Sequence, residues 1–251
     1  MAVWRFFVIL QVPACPVAGG AIFVRFLKSY DAMKVVNLGA QPSVINNYMA
    51  ELRDVRVQGR RSVFRHNMER IGYAMAYELS RTLGYSPKAV PTPLGTKLVD
   101  TCDEHIVVGT VLRAGLAFHQ GFLDVFDAAD AAFVAAYRDE GKREDLQIHL
   151  EYLASPRLDG STFILVDPML ATGGSLELAY RAFMRQGQPA KLHICCVIAS
   201  EEGVEHLRKL FPDDDVTLWV AAIDPLLNDD AYIVPGLGDA GDLSFGPKVK
   251  L

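Results

Sequence analysis

Short apolar runs alternate along this chain with stretches of helical period. The segments "HIVVGTVL" (105–112), "AAFVAAY" (131–137), "TFILVD" (162–167), "LHICCVIA" (192–199) and "VTLWVAAI" (216–223) are nearly unbroken in apolar residues and short, so each predicts a buried strand. In "SVFRHNMERIGYAMAYELSRTL" (62–83), Phe64, Met68, Ile71, Met75 and Leu79 recur every three or four residues, which predicts an amphipathic helix closed by Gly84. The following "SPKAVPTPLGTKLVD" reads as a loop, and so does the polar "RDEGKREDLQ" after the second strand. Helical patterns return at Ser175–Gln186 and about Gly203–Leu210. Apolar strands separated by helices predict an α/β fold, a parallel sheet of Rossmann-like type with helices on both faces. One domain is expected, from residue 33 to 251. In such sheets ligands bind beyond the carboxyl ends of the strands, so residues just after strands are the candidates.

The 51% hydrophobic content supports a substantial core and rules out wholesale disorder. A net charge of −5 speaks against a protein that mainly grips nucleic acid. Residues 1–32 are apolar with a single early Arg5 and could pass for a signal peptide, with "VPAC" before Cys15 as a faint cleavage site. Against that, Pro13, Pro16, Gly19 and Gly20 break the run, Arg25 and Lys28 follow it, and it is short for a membrane span. The preferred reading is an N-terminal extension, with the domain starting at residue 33. The four cysteines show no C-x-x-C spacing, and Cys195 and Cys196 in their apolar run read as buried, inert thiols. The six histidines form no metal-binding pattern, and no metal ligand is expected from the protein.

The most specific signal is "FILVDPMLATGGSLELAY". A buried strand ends at Asp167, and a loop leads into a helix. Gly173 and Gly174 let main-chain N–H groups approach a ligand, Thr172 and Ser175 add hydroxyls, and the helix N-terminus favours an anion. Together these describe a phosphate cup. No G-K-[ST] is present, so a P-loop is excluded. An ordinary strand–turn–helix connection capped by Ser175 is the competing reading of the T-G-G-S alone.

Arg113 follows one strand in "VLRAGLAF", and Arg138 ends the next in "FVAAYR". Two guanidiniums at neighbouring strand ends could clamp a pyrophosphate. Each taken singly could equally be a solvated surface arginine.

These motifs resemble the phosphoribosyltransferases, and "DPMLATGGS" resembles the uracil phosphoribosyltransferase family in particular, although most phosphoribosyltransferases carry a second acid where Pro168 stands. The resemblance spans about residues 34–248. It implies the reaction of uracil with 5-phosphoribosyl 1-diphosphate (PRPP) to give UMP and pyrophosphate, within pyrimidine salvage. It implies that Pro168, Met169 and Leu170 belong to the PRPP loop, that Asp167 holds the ribose, and that Ala171, Thr172, Gly173, Gly174 and Ser175 hold the 5′-phosphate. Arg113 matches the arginine of the family's pyrophosphate loop and Arg138 the arginine just before the flexible loop that closes over PRPP, and with Asp167 they form the expected catalytic set. The flexible loop, 139–157, departs from the family's usual sequence. The resemblance further implies magnesium carried with PRPP, a cytoplasmic homodimer or larger homo-oligomer, GTP as an activator, and neither nucleic-acid nor membrane partners.

Near the end, "YIVPGLGDAGD" contains the glycine spacing of a dinucleotide-binding turn at Gly236, Gly238 and Gly241. Only ten residues follow Gly241, including Pro247, which leaves no room for the helix, second strand and ribose acid of that unit. By resemblance the segment belongs instead to a hood at about 224–251. There Ile233, Gly238, Asp239 and Ala240 contact uracil, and Asp239 also faces PRPP. The family's "IDQGLN" is "IDPLLN" here, with Asp224 kept and Pro225 and Leu226 new. Two alternatives stand beside this reading. A transferase for another base would share the phosphate loop but not the hood. A regulator of the same fold that binds nucleotide and RNA would need a basic face, which the acidic balance opposes.

Overall fold

The computed structural model describes residues 33–138, 148–212 and 216–248. The expected N-terminal extension, residues 1–32, lies outside the described residues, as do residues 139–147 of the expected flexible loop. In chain order the elements are β1 (Lys34–Asn37), α1 (Val44–Arg53), α2 (Arg61–Ser80), β2 (Tyr85–Thr92), β3 (Gly95–Cys102), β4 (Ile106–Leu112), α3 (Leu116–Leu123), β5 (Asp130–Arg138), β6 (Ile148–Ala154), β7 (Thr162–Val166), β8 (Met169–Leu170), α4 (Gly174–Phe183), β9 (Lys191–Ser200), α5 (Glu201–Leu210), β10 (Val216–Asp224), β11 (Leu226–Leu227), β12 (Ile233–Val234) and α6 (Ala240–Phe245).

The central sheet runs β1-β10-β9-β7-β4-β5-β6, with the short β8 continuing along β9. Every pairing in it is parallel except that of β6 with β5. Both faces are covered. Ile106, Val108, Ile164, Val166, Cys195, Val197 and Trp219 pack with α1, α2 and α3, while Val107, Phe163, Leu165, Ile194, Cys196, Leu218 and Val220 pack with α4 and α5. Two buried faces explain why these strands read as continuous apolar runs rather than alternating ones. Cys195 and Cys196 face opposite sides, both fully buried, and burial pushes both thiols well up. Among the described residues no helix is long and apolar enough to cross a membrane.

The structure corrects several local expectations. The stretch read as a loop at 86–100 lies in an antiparallel hairpin, β2–β3, in register from Tyr85↔Cys102 to Thr92↔Gly95. Its side chains are mostly exposed, so no buried face imprinted an apolar alternation, and Pro87, Pro91 and Pro93 favoured the loop reading. The α2 helix ends at Ser80, before Gly84; the N–H of Gly84 is taken by the Glu104 carboxylate instead. Part of the expected flexible loop is strand β6. α1 carried no prediction; its start is fixed by a capping box in which Ser43 and Asn46 bond reciprocally to each other's ends.

Candidate active site

The carboxyl edge of the sheet brings four segments together. β7 delivers Asp167, nearly buried, whose N–H bonds the Cys195 carbonyl at 3.0 Å. The chain then runs beside β9 through β8, and the Leu170 side chain goes into the core. Pro168 is buried as well, its carbonyl accepting the Ile198 N–H at 3.0 Å. The Ala171 carbonyl accepts the Ser200 hydroxyl at 2.6 Å, so the start of α5 props the turn. Gly173 adopts φ +88°, and α4 begins at Gly174, with the Glu177 N–H closing onto the Gly173 carbonyl at 2.9 Å. That positive φ favours glycine, a requirement separate from the close approach of a ligand that the sequence suggested.

Glu177 sits in the first turn of α4 and is clasped on two sides. Arg181 bonds one oxygen at 2.8 Å and His206 of α5 bonds the other at 2.8 Å. The Arg181 hydrogen bond leads in holding the Glu177 carboxyl below its ordinary value; burial opposes it, and His206 adds to the lowering.

Arg113 follows β4 across a cis peptide bond from Leu112. Its guanidinium reaches the hood, donating to the Gly246 carbonyl and to Asp242 Oδ1, each at 3.3 Å. Its Nε is buried with no hydrogen-bond partner among the described residues. Arg138 closes β5, the strand paired with β4, so the two arginines leave neighbouring strand ends as expected. The Arg138 side chain lies outside the described residues.

The hood starts at Asp224, forms the β11–β12 hairpin and crosses to α6. Ala231, in the hairpin turn, has φ +61°. The Asn228 carboxamide oxygen accepts the N–H groups of Asp230 and Tyr232 and shapes that turn. Asp239 is the N-cap of α6, its Oδ1 accepting the Asp242 N–H at 2.8 Å. The expectation that no helix follows the glycines is therefore corrected: a six-residue one does. Nothing described after it supplies a second strand, so the dinucleotide unit is still not built.

A cavity of about 300 Å³ lies between these segments. Arg113, Asp167, Met169, Ser175, Asp239 and Ala240, all anticipated, line it together. Thr172, Gly173 and Gly174 form the turn just before Ser175 and do not line it; nor do Pro168, Leu170 and Ala171. Ile233 is buried in the core rather than in the cavity wall, and Gly238 is exposed beside it. Sequence reasoning missed Asp230, Ala231, Tyr232 and Lys248 in the lining. It also missed Arg53 and Gln58, which touch the hood from α1 and the turn after it. The only signal for Arg53 was the acid at 224 that it pairs with.

A strand-end acid, the Ser175 end of a glycine turn at a helix N-terminus and an arginine from the adjacent strand, gathered at one cavity of a parallel sheet, define the phosphoribosyltransferase class. Within that class the chain belongs to the uracil phosphoribosyltransferase family, whose model, "Uracil phosphoribosyltransferase", matches residues 40–247. A uracil phosphoribosyltransferase of Porphyromonas gingivalis is 48% identical over 217 residues, covering 86% of this chain and all of that one. One from Methanococcus maripaludis is 38% identical, covering 81% of this chain and 87% of that one. A solved protein structure from Aquifex aeolicus superposes with a TM-score of 0.76 at 32% identity, covering 86% of this chain and all of that one.

Proposed function

We infer that this chain transfers the phosphoribosyl group of PRPP to N1 of uracil, yielding UMP and pyrophosphate. The observation that carries this reading is the shared cavity: the end of the cup (Ser175), the strand-end acid (Asp167), the arginine loop (Arg113) and the hood (Asp239, Ala240) all face one space.

Breaking the bond at ribose C1 builds positive charge on the sugar and negative charge on the departing pyrophosphate, so positioning and electrostatics dominate. The cup's N–H groups and the α4 N-terminus suit the 5′-phosphate. Asp167 accepts from ribose hydroxyls, and Arg113, with its unpartnered Nε, meets the leaving group, joined by Arg138 from the neighbouring strand end. Uracil is uncharged, and main-chain groups at Gly238–Ala240 match its carbonyls and N3–H. Three carboxylates (Asp167, Asp230, Asp239) against two cations (Arg113, Lys248) line the cavity among the described residues. That surplus suits PRPP arriving as its magnesium complex. The family resemblance supports, in the same reading, a cytoplasmic homodimer or larger homo-oligomer activated by GTP and serving pyrimidine salvage. The test is product formation from PRPP and magnesium with uracil, hypoxanthine or orotate. UMP from uracil is expected, and failure to turn over uracil would overturn the assignment.

A further inference from the structure

The turn that precedes the base-recognition segment is held by a residue far away in sequence. Arg53, the last residue of α1, lays its guanidinium across the Asp224 carboxylate in bonds of 2.6 and 2.7 Å. The same Nη1 donates to the Gly236 carbonyl at 2.9 Å. Asp224 Oδ2 in turn accepts the Gly236 N–H at 2.8 Å. Both main-chain groups of Gly236 are thus engaged by one ion pair. Gln58 extends the grip: its Nε2 donates to the Leu52 carbonyl at 2.9 Å and to the Leu237 carbonyl at 3.3 Å. Gly236 itself has φ +60°, and a Cβ there would lie 2.0 Å from the Ile233 carbonyl oxygen, so the turn is closed tightly on itself.

Two residues beyond that turn comes Gly238, then Asp239 and Ala240, which line the cavity. Arg53 does not line it. Uracil offers only a few uncharged handles, and hydrogen bonds to it weaken steeply as donor and acceptor move out of line. The height of the segment above the cavity therefore governs how well uracil is read.

We propose that Arg53 is a positioning residue for base recognition: through Asp224 and Gly236 it sets where Gly238–Ala240 sit above the cavity. This rests on the reading of that segment as the uracil-binding one. A guanidinium suits the role because its planar fork satisfies both carboxylate oxygens and a carbonyl at once, which an ammonium on a flexible stem does not. A purely structural ion pair would have a different signature. Its loss would leave Asp224 buried and unpaired, lowering stability without separating one substrate from the other.

The experiment is steady-state kinetics of UMP formation and thermal unfolding for the wild type, R53K, R53A and D224N. R53A and D224N are expected to raise KM for uracil about tenfold or more, with R53K intermediate, since small misplacements of binding groups are costly. KM for PRPP is expected to rise less than KM for uracil, because the cup is propped by α5, although Arg113 reaches the hood and Asp239 belongs to it. An unchanged KM for uracil in both Arg53 variants, or a KM for PRPP that rises in parallel, overturns the proposal; so does a drop in Tm alone. Should R53A not fold, R53K, which keeps the charge beside Asp224, decides. Should the wild type use a different base, the functional reading fails, while the KM comparison with that base still tests the anchor.

Discussion

The imidazole of His206 lies directly against the main chain of Gly173: a Cβ at 173 would stand 2.6 Å from its Cδ2 and 2.9 Å from its Cγ. The turn at Gly173, proposed as the phosphate cup, is therefore backed by α5. Ser200 at the start of that helix holds the Ala171 carbonyl, and His206 two turns on covers Gly173 and ties Glu177. A neighbouring βα unit thus adds to what holds the turn in shape.

Gly173→Ala should damage the cup in two ways. An alanine at φ +88° is strained by about 1–2 kcal/mol, and its methyl must displace the His206 ring. Denaturant unfolding should show at least that loss, and KM for PRPP should rise while KM for uracil moves less. Wild-type stability together with wild-type KM for PRPP would contradict the contact.

Glu177 places a negative charge in the first turn of α4, the helix proposed to receive the phosphate, and Arg181 and a hydrogen bond with His206 offset it. His206→Ala should raise KM for PRPP about two- to fivefold at low ionic strength, the size of a helix-terminus charge effect. Adding Glu177→Gln should reverse that rise, because the charge needing an offset is then gone. Salt should shrink both effects. If the double variant is no better than His206→Ala, the histidine acts by packing alone.

Arg113 is bound in this structure to Asp242, a residue of the hood, at 3.3 Å. Arg113→Ala should lower kcat about 10²–10³-fold, as removal of a charged donor from a developing anion does. The chain should stay folded, since among the described residues the guanidinium makes two long bonds. If Arg113 meets the pyrophosphate as proposed, Asp242→Asn removes a carboxylate that competes for it, while the α6 cap, which uses the Asp242 N–H, survives. Its expected effect is a lower KM for PRPP. A higher KM would mean that Asp242 helps to hold Arg113 in place for the substrate.

The parts of this molecule legible in its sequence are those where burial leaves a pattern. β4, β7, β9 and β10 are covered on both faces and read as apolar runs, and α2 shows its buried stripe. The strand, turn and helix at 162–183 were legible because an apolar run, paired glycines and a helical period follow one another there. β2–β3 was not, because its exposed strands carry no burial signal. α6 was hidden by its length, six residues begun by an Asp239 cap. Arg53 could not be found by local reasoning, since 171 positions separate it from Asp224 and only the folded sheet brings them together.

That same pair makes a prediction with acid. Burial pushes the Asp224 carboxyl up, but the Arg53 hydrogen bond, the Gly236 N–H and the Arg53 charge outweigh it and hold the group below its ordinary value. A carboxylate lowered in this way adds stability that is fully present above its unfolded pKa, near 4, and is lost as pH falls through the lower folded value. In Arg53→Ala the two Arg53 contributions vanish and burial remains, so the Asp224 pKa rises and the variant has little of this stability to lose. The stability gap between wild type and Arg53→Ala should accordingly be widest at neutral pH and narrow as pH falls below about 4. Urea unfolding of both proteins at pH 7 and in mild acid measures it. A gap of the same size at both would mean that the ion pair contributes nothing through its charge.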